Sequence, residues 1–374
     1  MRDHRATVRT RGLVRLLTVL ALLSALSVSV AAGGERVHVS GGGAIVAKLN
    51  AQRRANGIPG DLVENPQWSN ACMLHNRYEA LNNELTHKEI PGRPGYTAEG
   101  AWAGENSVLS EGESWTDENP FESAPIHLSQ LLAPSLTAVG ADDTDGWVCV
   151  TTSELTRTYA ADRVYSYPGD GTTGWPASEV AFEDSPTAGE VVGLRAGART
   201  GLYLFVFAGT NDFDAAVSIA SASLVGPSGP VEVRWVDSSN ETVGEYLPEG
   251  GIVIPVKPLA SGATYRASVH LSGFSVQDYS WSFTTALERN AVAVAVTKSA
   301  GRKVRFTVTS RAAGPTLALT GALKRRIALA HLTGSRYRSG VLRLPAGSYR
   351  ACATSGGART GYTAATVCKT FALS

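Results

Sequence analysis

The sequence predicts an α+β head followed by two all-β sandwich domains, and three observations carry that expectation. Helical periodicity is confined to residues 44–85, with one shorter candidate near residue 130. From about residue 160 the chain consists of short β-rich runs separated by turn residues. Over the whole 374 residues, 18% are charged, 43% are apolar and 39 are Gly. Charged content below the roughly 25% of an average chain, with Gly above its ~7% share, suits a turn-rich β protein and not a helical bundle or a disordered tail. The length suits two or three domains, each able to bury its own core. The expected division is a leader over 1–32, a head over 40–158, a β-sandwich over 165–287 and a basic β-sandwich over 288–374.

The leader comes first. Residues 1–15 hold five arginines and one carboxylate, Asp3, and are followed by the apolar run Leu16–Val30 and the small residues Ala31, Ala32 and Gly33. That order is the pattern of a signal peptide cut after Ala32. As a helix the run would rise about 22 Å, short of a hydrocarbon core of roughly 30 Å, which leaves an uncleaved anchor as the alternative. The protein is therefore expected to be secreted and extracellular, or held at the cell envelope. An even number of cysteines in an exported chain predicts disulfides, Cys72 with Cys149 and Cys352 with Cys368. Closing the seventy-odd residues of the first loop is worth about 4 kcal/mol in the chain-entropy account. The wide spacing and the absence of a Cys-x-x-Cys argue against a zinc cluster.

In the head, Ala44–Arg54 is a run of good helix formers stopped by Gly57-Ile58-Pro59-Gly60. Asn65-Pro66 opens a second helix, in which Trp68, Cys72, Leu74, Tyr78, Leu81 and Leu85 recur at helical spacing, so that His87 falls at its end. A short helix is expected over Ile126–Leu132 and a strand over Gly146–Thr151. Farther on, Gly201–Ala208, Val231–Val236 and Tyr279–Thr285 read as strands. In the last of these Tyr279, Trp281 and Phe283 share one face and Ser280, Ser282 and Thr284 the other. Residues 288–374 repeat the alternation in Val292-x-Val294-x-Val296, Val304-x-Phe306-x-Val308 and Leu317-x-Leu319.

Net charge looks uninformative at +1 until it is placed along the chain. The last segment holds fifteen Lys or Arg against Glu288 alone, and the leader carries +4. Removing both contributions leaves about −17 for everything between them. An acidic head is thus joined to a strongly basic end. That end could dock on an anionic cell-envelope polymer or lipid, or its charges could simply decorate a solvated face. Its aromatic residues are few, so base stacking is not favoured and no nucleic acid partner is expected.

No Gly-x-Ser-x-Gly elbow, His-Glu-x-x-His helix or Walker loop is present, which removes the common hydrolase, zincin and nucleotide-binding readings. What remains is a constellation in the head: His87, then Ala103-Gly104-Glu105-Asn106, then His127 opening the short helix. Two imidazoles and a carboxylate brought to one cleft could ligate a divalent metal, or act as a general base with its orienting acid. Equally, such an Asn can bond backbone groups and such a His can cap a helix. His75, among apolar neighbours on the second helix, reads as a packed core residue.

The run Ala103-Gly104-Glu105-Asn106 resembles the Gly-Glu-Asn signature of the CAP superfamily, the cysteine-rich secretory, antigen-5 and pathogenesis-related-1 proteins. His127-Leu128-Ser129-Gln130-Leu131-Leu132-Ala133-Pro134, leading to Gly140, resembles the bacterial form of that family, and Leu49–Arg54 resembles its first helix. The likeness covers residues 40–155. It implies an α-β-α sandwich whose cleft is lined by two His and two acidic residues. Matched residue by residue, His87, Glu105 and His127 take three of these positions; Glu122 is taken as the fourth, with Glu118 the other candidate. Ile126 departs from the family pattern, which has Gly before the His in many bacterial members. The resemblance implies a divalent metal (Zn, Ca or Mg) or a small or lipid ligand in the cleft. Hydrolysis is an alternative with no assigned nucleophile. Pro258–Tyr265 followed by Trp281–Thr285 resembles the closing strands of bacterial immunoglobulin-like modules, which implies a spacer role.

Overall fold

The computed structural model describes residues 41–112, 114–115, 119–155, 163–208, 217–247, 250–357 and 360–374. The leader with its cleavage point and Glu118 lie outside these residues. Among the described residues the helices are α1 (Gly42–Ala55), α2 (Pro66–Asn82), α3 (Ala98–Glu105), α4 (Pro125–Leu132) and α5 (Ala188–Val191), with a 3-10 turn at Gly244–Tyr246, and most other regular structure is strand.

Helix α2 begins as its sequence dictates. Asn65 caps it through Oδ1, which accepts from the N–H groups of Gln67 (3.0 Å) and Trp68 (3.3 Å), and Pro66 occupies the first turn. It ends earlier than the apolar spacing predicts. Asn83 adopts the left-handed conformation (φ 48°) and the N–H groups of Asn83 and Glu84 both return to the Glu79 carbonyl. Leu81 and Leu85 are 53% and 42% exposed. His87 consequently lies in the loop beyond the helix and not at its end. Helix α2 packs on α3 and on the antiparallel sheet Ser107–Glu111, Trp147–Thr151, Ala141–Thr144. A second small sheet sets Val63–Glu64 parallel to Leu136–Val139, with Glu154–Leu155 beyond it. The Cys72–Cys149 disulfide is fully buried and ties α2 to the central strand of the first sheet.

Two β-sandwiches follow. In the first, a five-stranded sheet containing Ser218–Gly226, Thr264–Ser272 and Asp278–Thr285 faces a four-stranded sheet containing Leu204–Ala208 and Gly250–Pro255. Trp281 and Phe283 point into the core as their alternation predicts. The run Leu204–Ala208 behaves differently, because all five residues are buried. Leu204, Val206 and Ala208 face the sandwich core, while Phe205 and Phe207 join a cluster with Ile126, Leu128 and Leu132 of α4. A strand buried on both faces needs a continuous apolar run, and Leu202–Ala208 supplies one. The head and the first sandwich therefore share a core.

In the second sandwich, Val304, Phe306 and Val308 meet Leu317, Leu319, Ala351 and Ala353. One sheet runs in the order Val292–Ser299, Lys303–Ser310, Arg336–Arg338, Ala330–His331, with Leu342–Arg343 also paired to the second strand. The other contains Gly347–Gly357 and Tyr362–Leu373, where Cys352 lies directly opposite Cys368 and the two are bonded. Both expected disulfides are thus formed, as suits an oxidising or extracellular environment. No helix of the described residues is long and apolar enough to cross a membrane.

Candidate functional site

The loop carrying His87 is held from inside the head by a buried charge network that sequence reasoning missed. His75 is fully buried, but its contacts are polar. Nδ1 lies 3.0 Å from Glu89 Oε1, and Nε2 lies 2.9 Å from the Thr86 carbonyl and 3.5 Å from Glu79 Oε1. Nε2 donates to the Thr86 carbonyl, and toward an ionised Glu89 Nδ1 donates as well, an arrangement that suits an imidazolium. Burial alone would lower its pKa; the hydrogen bonds and charges of Glu79 and then Glu89 outweigh that and raise it. The two carboxylates also accept the backbone N–H groups of Thr86 (2.9 Å, Glu79) and Thr97 (3.0 Å, Glu89), clamping the loop on both sides of His87.

The same ring explains a glycine in the Gly-Glu-Asn run. A Cβ on Gly104 would stand 2.4 Å from His75 Cε1, so only glycine lets α3 approach α2 here. The Gly104 carbonyl then accepts from His87 Nδ1 at 2.8 Å, which leaves Nε2 of His87 with its lone pair. Asn106 closes the end of α3 by donating from Nδ2 to the Trp102 carbonyl at 2.8 Å.

His127 sits on α4, its ring stacked on Phe121 with centroids 6.1 Å apart. The acidic partner near it comes from the β-sandwich. Glu183, its side chain 1% exposed, accepts the Ile126 N–H at 2.8 Å and the Ala188 N–H at 3.2 Å, and its Oε2 lies 3.4 Å from His127 Nδ1. A negative charge at the first turn of α4 is favourable in its own right. Phe182 N–H donates to the Ser123 carbonyl at 2.6 Å, so the segment around Glu183 is strapped along the entry to α4.

Around these residues lies a cavity of about 700 Å³. His87, Glu105 and His127 line it from the head, and Glu183, Asp184 and Tyr246 from the sandwich. A second cavity of about 560 Å³ shares His87, His127, Glu183 and Asp184 and is otherwise walled by apolar groups including Leu85, Leu109, Phe121 and Phe182. The first sandwich thus both shares a core with the head and lines its cleft.

Three of the four residues expected in the cleft are therefore brought to one cavity, and the fourth is not. Glu122 lines neither cavity. Its carboxylate accepts from the Tyr167 hydroxyl at 2.8 and 3.0 Å and from the Gln52 amide, at the seam between head and sandwich. Burial, and then the charge of Glu122, push the Tyr167 phenol well up. Among the described residues no group of three or more His, Cys, Asp or Glu is placed to hold a metal ion. Of the two carboxylates expected as the fourth donor for Zn, Ca or Mg, Glu122 is engaged with Tyr167 away from the cleft, and Glu118 lies outside the described residues.

Nearby, Glu179 accepts the Tyr203 N–H at 3.2 Å. Burial pushes its carboxyl up to about 8; the charges of Glu122 and Glu183 push the same way, against the Tyr203 hydrogen bond. Nothing periodic in the sequence marks Glu179 or Glu183. They lie in an irregular stretch, and only the acidic run before Ser185-Pro186 sets it apart.

No family model matches the chain, and no curated protein matches it. Among solved structures, a crystal structure of bovine butyrophilin is similar at 10% identity over 46% of this chain and 90% of that one, with a TM-score of 0.22. A likeness that slight bears neither on the fold nor on the function of this chain.

Proposed function

We propose that the chain is an exported binding protein of the CAP type whose cleft takes a small polar ligand. The observation that carries the reading is the cavity of about 700 Å³ lined together by His87, Glu105 and His127. Both histidines have Nδ1 turned to a protein acceptor, so each offers Nε2 as an acceptor of its own. Glu105 lines the cavity from the head and Glu183 and Asp184 from the sandwich, three carboxylates against the single ammonium of Lys88, so it suits a ligand that donates hydrogen bonds or carries positive charge. Among the described residues no hydroxyl or thiol is hydrogen-bonded to either histidine, which favours binding over hydrolysis.

Saturation-transfer NMR on the full chain, with a panel of short amines, amino acids and monosaccharides, tests the proposal. At least one class should give a signal that vanishes in His87→Ala/His127→Ala while the melting temperature is kept. Silence from the whole panel, or signals that survive in the double variant, would overturn it.

A further inference from the structure

The basic end of the chain has its charges sorted by strand register. Along Lys303–Ser310, the residues Val304, Phe306, Val308 and Ser310 are buried, so Lys303, Arg305, Thr307 and Thr309 face outward. Antiparallel partners share a face. Arg343 stands directly opposite Lys303, Arg338 opposite Thr307 and Arg336 opposite Thr309. One outer face thus carries Lys303, Arg305, Arg336, Arg338 and Arg343, all exposed. At about 3.4 Å per residue the row is about 20 Å long.

None of the five makes an ion pair or a side-chain hydrogen bond among the described residues. Residues 288–374 contain no carboxylate side chain other than Glu288 to neutralise them. Like charges directly opposite each other, as Lys303 and Arg343 are, destabilise a sheet. An ordinary solvated face mixes signs and avoids that cost.

Beside the row, the neighbouring strand presents Ala293, Ala295 and Thr297 on the same face, opposite Thr309, Thr307 and Arg305. These short side chains leave a flat shelf bordered by cations. We infer that this face is a docking surface for a linear anionic polysaccharide, with Lys303, Arg305, Arg336, Arg338 and Arg343 binding its repeated anionic groups. The shelf has no large apolar group to enter a lipid layer. No aromatic residue on it could stack a base; Tyr337, paired with Val308, belongs to the opposite face. The disulfide in the partner sheet of the same module suits an oxidising or extracellular environment, the latter being where such glycans occur. The inference is independent of the cleft.

The test uses the full chain and a fluorescent heparin octasaccharide as probe, over a salt series. The wild type should bind, with affinity falling steeply as salt rises. Lys303→Glu/Arg305→Glu/Arg343→Glu should bind about thirtyfold more weakly. Lys324→Glu/Arg325→Glu/Arg326→Glu makes the same change of net charge at the edge of the other sheet, and should cost less than about threefold. The neutral set Lys303→Gln/Arg305→Gln/Arg343→Gln, with melting curves, guards against misfolding of the reversed one and should also weaken binding. Equal losses in the two charge-reversed variants would show attraction by net charge alone and overturn the assignment. So would no binding by the wild type, or binding of a single-stranded oligonucleotide or of phosphatidylglycerol vesicles at least as tight at the same salt.

Discussion

The two ends of this molecule treat charge in opposite ways. In the head, His75, Glu79 and Glu89 are withdrawn from water and paired, and at its seam with the first sandwich Glu122 and Glu183 are engaged with named partners. In the terminal module, five cations on one sheet face stand in solvent and meet no partner from the described residues. Net charge per segment, −17 and +14, conceals this difference. These four carboxylates hold loops and modules in place, whereas the five cations remain available to something outside the chain. Where a charge finds its partner is therefore better information about function than how much charge there is.

The largest test of that contrast is to strip a buried charge of its partner. His75→Leu leaves Glu79 and Glu89 buried without their cation and should cost about 3–5 kcal/mol in chemical denaturation. Adding Glu79→Gln and Glu89→Gln to the same chain should recover a large part of the loss, because amides can be buried without a counter-charge. A loss that persists unchanged in the triple variant would mean that ring packing against Gly104, and not charge, is what His75 supplies.

This network also marks what sequence reasoning could and could not see. The cysteine pairs, the helix over Pro66–Asn82 and the alternating strands follow from local rules, because spacing, caps and period are properties of neighbouring residues. The end of that helix is set by Asn83 in the left-handed conformation, with the Asn83 and Glu84 N–H groups returning to the Glu79 carbonyl, which periodicity through Leu85 could not register. His75 was legible as buried but not as charged, since Glu89 is fourteen residues away along the chain. In the cleft, His87, Glu105 and His127 were legible as a motif. Glu183 was not, because it arrives from another module 56 residues after His127. The continuous run Leu202–Ala208 was the available sign that the sandwich had a second neighbour.

The seam between head and sandwich offers a test of intermediate size. Glu179 holds its proton up to about pH 8, far above a carboxyl in the unfolded chain. The native state therefore binds a proton that the unfolded state releases. The resulting stability is fully present below about pH 4.5 and is lost as pH rises through about 8. His75, also raised, contributes in the same direction, fully below about pH 6.5 and less as pH climbs through its folded value. Glu179→Gln should match the wild type near pH 5 and exceed it by on the order of 2 kcal/mol at pH 8.5. Parallel pH profiles for the two proteins would mean that Glu179 is solvated and ionised in the seam.

The smallest expected effect has the opposite sign and is the sharpest test of the contrast. If the basic face is built for a partner and not for stability, then removing its charge should not weaken the free protein. Lys303 and Arg343 sit directly across from each other with no carboxylate between them, so Lys303→Gln/Arg343→Gln should stabilise the chain by about 0.3 kcal/mol at low salt. The gain should fade as salt screens the pair, since both groups are exposed. A double-mutant cycle in urea at two ionic strengths measures it. A destabilisation there would mean that the two cations find compensating contacts within the fold, and the terminal module would then treat its charge as the head does.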